Sequence, residues 1–287
     1  MSRQDSANQF LQRALEAQAD LPMEQGLIRD LFAGTAETSA LSLPEVGEMI
    51  SRDPALSARV LSLANSVYYG LQSQVSSVGR AVTVLGLREV RNLVLIIGLS
   101  AVTNSHPVPD VFSLRDYWLH QLRVAAFAKT IAAHTDDLDP EMMYTAGLLH
   151  DIGKLFMAAL APADWTAIRT LAVKSDLADH QAEDLWWGLD HALAGARVLE
   201  YWQLPTELTE TISWHHSPLL AEGDFARSAK VLHLADIALI AFEHRKELPD
   251  ETAHILSEFV ATPEALRASL ETQFAGERIG QLAALLV

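Results

Sequence analysis

The sequence predicts an all-α protein built as two packed helical lobes. Three observations carry that expectation. Apolar residues recur at helical spacing along nearly the whole chain. Alternating apolar–polar runs of strand length are absent. Proline marks helix starts on both sides of one central break.

The elements follow in order. Asp53-Pro54 opens DPALSARVLSLAN, where Leu56, Val60, Leu61 and Leu63 line one side, an Asp cap followed by a first-turn proline. Gly86 precedes LREVRNLVLIIGLSAV, whose apolar density predicts a helix buried on nearly every face. NSHPVPD carries two prolines in quick succession and breaks the pattern, so the boundary between lobes is placed at about residues 103–112. Beyond it, Asp116 to His134 reads as an amphipathic helix, and Asp139-Pro140 starts another that runs into HDIGK. Further helices are expected at about 162–174, 178–187, 190–202, 205–215, 224–244 and 263–273. The resulting division is an N-terminal helical extension at 1–20, a first lobe at 21–105, a second lobe at 106–245 and a C-terminal helical extension at 246–287.

Composition narrows the function. The 287 residues are 49% hydrophobic, enough for a substantial core. A formal net charge of −16 disfavours binding to nucleic-acid polymers or anionic lipid. The chain has no cysteine, which excludes thiolate metal sites, disulfides and Cys nucleophiles, so any metal must be held by His and carboxylate. The N-terminus shows no apolar signal core. The longest apolar run, Leu93 to Val102, is about half the ~20 residues a bilayer span needs. A cytoplasmic protein without a membrane partner is the expectation.

The most informative motif is His150-Asp151-Ile152-Gly153-Lys154. An adjacent imidazole and carboxylate suit a divalent metal. Glycine allows close backbone approach, and lysine supplies a point charge for a phosphate oxygen. Other ligand types stand elsewhere: His120 in the preceding helix, His191 at GLDHALAG, His215 and His216 at TISWHH, and Asp236 within VLHLADIAL. Together they form a candidate set for one or two ions, with Asp151 as the bridging carboxylate of a two-metal phosphohydrolase site. Asp116, four before His120, is a candidate extra ligand or supporting partner. Lys154 lies four beyond His150, on the same side if the helix continues.

Plainer readings stand beside these. A single His on an apolar helix is usually a hydrogen-bonded core residue, and His106, His134, His180, His244 and His254, in polar or terminal contexts, are assigned no functional role. His233, one turn before Asp236, is assigned a structural role. His215-His216 also suit a helix C-cap, and Lys154 also suits a solvated helix end. In the first lobe no nucleophile motif, P-loop or dinucleotide fingerprint occurs. There Asn65 reads as a brace for backbone groups at a helix end, and Tyr68 and Tyr69 as core residues.

The order His120, His150-Asp151, Asp236 resembles the HD superfamily of metal-dependent phosphohydrolases. ISRDPALSARVLSLANSVYYG followed by VSSVGRAVTVLGLREVRNLVL narrows the resemblance to the HDOD domain, the HD-related output domain of bacterial signalling proteins. Its hallmarks here are Asp53-Pro54, Asn65-Ser66, Tyr69-Gly70, Ala81, Leu85-Gly86 and Arg91-Asn92, then GLLHDIGK, Glu183 and the paired His215-His216. The resemblance covers about residues 21 to 240 and implies a two-lobed helical fold with a signalling role. The histidines and aspartates are also similar to those of HD-GYP phosphodiesterases, which open cyclic di-GMP and in which the motif lysine approaches a phosphate. The chain departs from that pattern: Ser217 stands where those enzymes carry Glu, and SPLLAEGDFARSAK has no Gly-Tyr-Pro. That departure counts against cyclic di-GMP hydrolysis more than against metal binding.

The first-ranked function is therefore a regulatory module acting through signalling proteins in trans, with a nucleotide or cyclic dinucleotide as candidate ligand. A metal-dependent phosphohydrolase ranks second, with Asp151 and Lys154 as its catalytic residues. Oxygen-dependent diiron chemistry ranks third. Residue types alone do not choose among Fe, Mn, Zn, Ni and Mg.

Overall fold

The structure is a computed structural model, and it describes residues 3–17, 31, 42–259, 268, 271 and 278–287. Among them helices dominate and no strand occurs, as the periodicity predicts. The helix expected at 263–273 lies outside the described residues apart from single positions.

The first group of helices is α2 (Leu43–Ser51), α3 (Pro54–Ala64), α4 (Val78–Leu85) and α5 (Leu87–Ser105), which pack on one another. Their starts are set by short polar caps. Asp53 accepts the Ala55 and Leu56 amides at 2.9 and 3.0 Å with Pro54 in the first turn, and Ser77 accepts the Arg80 amide at 3.3 Å. Gly86, at φ +83, lets α4 stop and α5 start within one residue. Val90 to Ser100 of α5 is continuously buried, so this helix is the core of its group. It continues through Asn104 and Ser105, two residues into the segment read as a break, because the first proline comes only at 107.

Asn65 braces the loop after α3. Its amide nitrogen donates to the Leu61 and Val75 carbonyls, both at 2.8 Å, and its oxygen accepts the Val75 amide at 2.7 Å. Tyr68 and Tyr69 pack against the core, yet they stay half-buried, because the braced loop sets them at its edge rather than inside it.

The second group begins with α6 (Leu114–Ala132) and α7 (Pro140–Leu149), which run closely alongside each other. A Cβ added to Gly147 would lie 2.5 Å from the Ala125 Cα, so glycine is required for that approach. Then come α8 (Ile152–Leu160), α9 (Pro162–Ser175), α10 (Asp179–Trp187), α11 (His191–Tyr201), α12 (Thr206–Ser213), a short 3-10 turn (Gly223–Phe225) and α13 (Ala226–His244). The helix α13 packs on α6, α7 and α12. The terminal helices α1 (Arg3–Ala17), α14 (Asp250–Leu256) and α15 (Arg278–Ala284) all dock on this second group: α1 on α8, α10 and α11, α14 on α13, and α15 on α6.

Two sequence expectations are corrected here. HDIGK does not continue the helix begun at Pro140: α7 ends at Leu149, Asp151 takes φ −99 and ψ 16, and α8 starts afresh at Ile152. The helix expected at 205–215 ends at Ser213, so His215 and His216 lie in the following turn. Both departures put ligand-type side chains at helix ends, where the backbone can aim them inward.

Candidate metal centre

Five segments deliver polar side chains to one point between α6, α7, α8, α11 and α13. His120 comes from the middle of α6, His150 and Asp151 from the α7–α8 break, and His191 from the first residue of α11. His215 and His216 come from the turn after α12, and Asp236 from the middle of α13. All seven residues proposed from sequence are brought together. His150, Asp151, His191, His215 and Asp236 are buried, and His120 retains 21% side-chain exposure.

The distances describe a compact cluster. His120 Nε2 lies 3.1 Å from Asp236 Oδ1 and 3.8 Å from Asp151 Oδ2. His150 Nε2 lies 3.5 Å from Asp151 Oδ2 and 3.9 Å from Asp236 Oδ1. On the other side His191 Nε2 is 2.9 Å from Asp151 Oδ1 and 2.7 Å from His216 Nε2. Asp151 thus turns one carboxylate oxygen to each half of the cluster. Donor atoms fall into sets no wider than 4.8 Å, among them Asp151 with His191, His215 and His216, and Asp151 with His120 and His150. A carboxylate common to two ligand sets is what a shared two-ion site requires.

The outer nitrogens explain why the inner ones face the centre. His150 Nδ1 donates to the Gly147 carbonyl at 2.8 Å, and His215 Nδ1 to the Ile212 carbonyl at 2.6 Å. Each bond fixes the tautomer that leaves Nε2 as a lone pair. Among the described residues neither His150 Nε2 nor His215 Nε2 has a hydrogen-bond partner. Buried acceptors converging on one another without a donor are the expected arrangement for ligands of a cation. The residues therefore fit a divalent ion.

Glu183 performs the same service for His191 with a charge. Its carboxylate accepts both the His191 Nδ1–H at 2.6 Å and the His191 backbone N–H at 2.8 Å. In the sequence Glu183 stands out only through the family resemblance; its contact with His191 depends on the tight turn at Gly188, φ +71. His233, read as structural, donates its Nδ1–H to the His215 carbonyl at 2.8 Å, and its Nε2 meets Thr252 Oγ1 at 3.0 Å. His180, which carries no functional signal in the sequence, stacks its ring on His216 with centroids 4.2 Å apart. Asp116 does not join the site: it is exposed at the start of α6 and forms no hydrogen bond or ion pair with His120.

Gly153 of the motif has a specific task. A Cβ there would stand 2.1 Å from the His191 carbonyl oxygen. The bare backbone lets α8 touch the start of α11, which seats His191 opposite Asp151.

Electrostatics of the most buried imidazoles, His150 and His215, agree with ligand roles. Burial pushes His150 and His215 below the ordinary imidazole range, favouring the neutral form that binds metal. Burial would raise Asp151, but His150, Lys154 and His191 outweigh it and hold the carboxyl well below its usual range. Burial would lower His191, but the Glu183 and Asp151 carboxylates raise it to about 10, so a cation bound there would displace its Nε2 proton. Lys154 Nζ donates to Asp151 Oδ2 at 2.8 Å with 20% exposure, and it reaches the site from α8, not along a continuous helix from His150. It stands with His120, His180 and His216 where the cluster meets solvent.

Comparison with known proteins places this geometry. The sequence model of the HDOD domain matches residues 21–218. The chain belongs to the HDOD family. An uncharacterised Treponema pallidum (strain Nichols) protein is 24% identical over 239 residues, which are 82% of this HDOD chain and 46% of that relative. This chain thus spans about half that relative's length. The crystal structure of a provisionally named phosphohydrolase from Shewanella amazonensis SB2B is 27% identical, matches over 96% of this chain and 98% of its own, and gives a TM-score of 0.73. A provisionally named signal transduction protein from Marinobacter aquaeolei VT8, 20% identical, shares the fold at a TM-score of 0.77 over all of this chain and 67% of its own. No helix among the described residues is long and apolar enough to cross a membrane.

Proposed function

We propose that this HDOD chain is a signal-transduction module that holds one or two divalent ions at its HD-type centre and acts through protein partners in trans. The convergence of His120, His150, Asp151, His191, His215, His216 and Asp236 supports the metal, with Asp151 bridging. Its chemical character favours borderline ions such as Fe, Mn, Zn or Ni over Mg, because imidazoles outnumber carboxylates. The signalling role draws on the HDOD family and on a first lobe without a recognisable chemical motif.

A metal-dependent phosphohydrolase is the second reading, and Lys154 favours it. A bound ion would supply a Lewis acid and lower the pKa of a coordinated water. The chain's own part would be to orient the donors through the Gly147, Ile212 and Glu183 contacts, and to hold the Lys154 ammonium beside Asp151 at the opening, within reach of a phosphate oxygen. Phosphodiesterase assays with Mn²⁺ and Fe²⁺ on a cyclic dinucleotide decide between the readings. The signalling reading expects little turnover, with Lys154→Ala keeping metal and fold while weakening phosphate-containing ligands. Rapid multiple turnover abolished by Lys154→Ala would make the chain an enzyme first.

A further inference from the structure

A cavity of about 1010 Å³ opens where the first group of helices meets the second. Tyr68, Tyr69 and the α4–α5 junction through Glu89 form one wall; α6 with Lys129 and α7 with Glu141 and Tyr144 form the other. None of the seven residues of the metal centre lines it.

The wall chemistry is specific. The Tyr68 and Tyr69 rings stand 4.9 Å apart at 87°, making a right-angled aromatic corner. Tyr69 donates to Glu89 Oε1 at 2.6 Å, and the Tyr68 and Tyr144 hydroxyls meet at 3.2 Å. The lining carries two cations, Arg88 and Lys129, beside the carboxyl groups of Glu89 and Glu141, and burial pushes the Glu89 carboxyl above its usual range. Lys129 is 2.6 Å from Glu141 and 5.6 Å from the Tyr144 ring centroid, with 40% side-chain exposure. Arg88 pairs with Asp139 at 3.2 Å and is 42% exposed. Half-exposed pairs of this kind hold weakly and exchange a carboxylate for a phosphate at low cost.

We propose that this interlobe cleft binds a nucleotide. The base lies against the Tyr68–Tyr69 corner, Glu89 meets an N–H edge of the base, and Lys129 and Arg88 take the phosphate. An aliphatic phosphate would make no use of the tyrosine corner, and an uncharged aromatic would make no use of the two cations. The volume suits a molecule of that size. The site is also placed to influence the metal centre. Tyr144 and Thr145 are on α7, and Thr145 receives Arg91 Nη2 at 2.9 Å and meets Asn92 Oδ1 at 3.0 Å. The same helix ends at Leu149, and His150 caps it.

Calorimetric titration of the full chain in chelator, with GTP, ATP and inorganic phosphate as probes, tests the proposal without relying on a loaded metal centre. The proposal expects GTP or ATP to bind at least about tenfold more tightly than phosphate. Tyr68→Ala and Lys129→Gln should each weaken it by about tenfold or more, and Tyr68→Phe should retain it. Lys129→Gln, at a partly exposed position, carries the test if Tyr68→Ala does not fold. Absence of nucleotide binding, or phosphate binding as tightly, would overturn it. So would loss in Lys154→Ala with Lys129→Gln unaffected, which would move the nucleotide to the metal centre and strengthen the phosphohydrolase reading.

Discussion

Glu183 grips His191 twice, accepting its ring Nδ1–H at 2.6 Å and its backbone N–H at 2.8 Å. One carboxylate thereby fixes the tautomer of a ligand-type imidazole and the first turn of the helix that carries it. Removing it disturbs the metal centre without removing a donor atom. Glu183→Gln should weaken divalent-metal affinity by about 10- to 100-fold, read by competition with a chelating indicator. Affinity equal to wild type would show that His191 is held by something else.

Gly153→Ala tests the contact of α8 with α11. Its Cβ would meet backbone, not a flexible side chain, so α11 must shift. The expected loss is about 2–3 kcal/mol or more in denaturant unfolding, with weaker metal binding alongside. An unchanged unfolding midpoint would mean the two helices separate more easily than their packing indicates.

Asn65→Ala should cost about 2 kcal/mol, because three hydrogen bonds that close the loop between residues 65 and 75 are lost together. Urea unfolding measures it. A change below ~0.5 kcal/mol would place the loop's order elsewhere.

Glu89 gives a pH signature. It binds its proton more tightly in the folded protein than in the unfolded chain, through burial above all. Its contribution is therefore fully present below the ordinary carboxylate pKa and is lost as pH rises through the higher folded value. Glu89→Gln should match wild type most closely in acid and become relatively more stable towards neutral pH. A stability difference that does not vary with pH would contradict the raised pKa.

The helices were legible because their ends are written locally: Asp53-Pro54, Asp139-Pro140 and Asp190 before His191 are caps that need no tertiary partner. The seven centre residues were legible as a set because their types and order resemble a known family. What tertiary packing decides was not legible. The break at His150-Asp151 depends on Gly153 meeting the His191 carbonyl, a contact 38 positions apart in the chain. His180 looks like any polar-surface histidine until α10 lays it on His216. Tyr68 and Tyr69 carry the composition of core residues, and only the fold shows them at the edge of a cleft.

The most direct test is elemental analysis of the chain purified without chelator, beside Asp151→Ala. A centre bridged by Asp151 predicts about one to two divalent ions per wild-type chain and almost none in the variant, with both proteins helical by circular dichroism. A metal-free wild type under divalent-metal supplementation, or full occupancy in Asp151→Ala, would contradict the central claim.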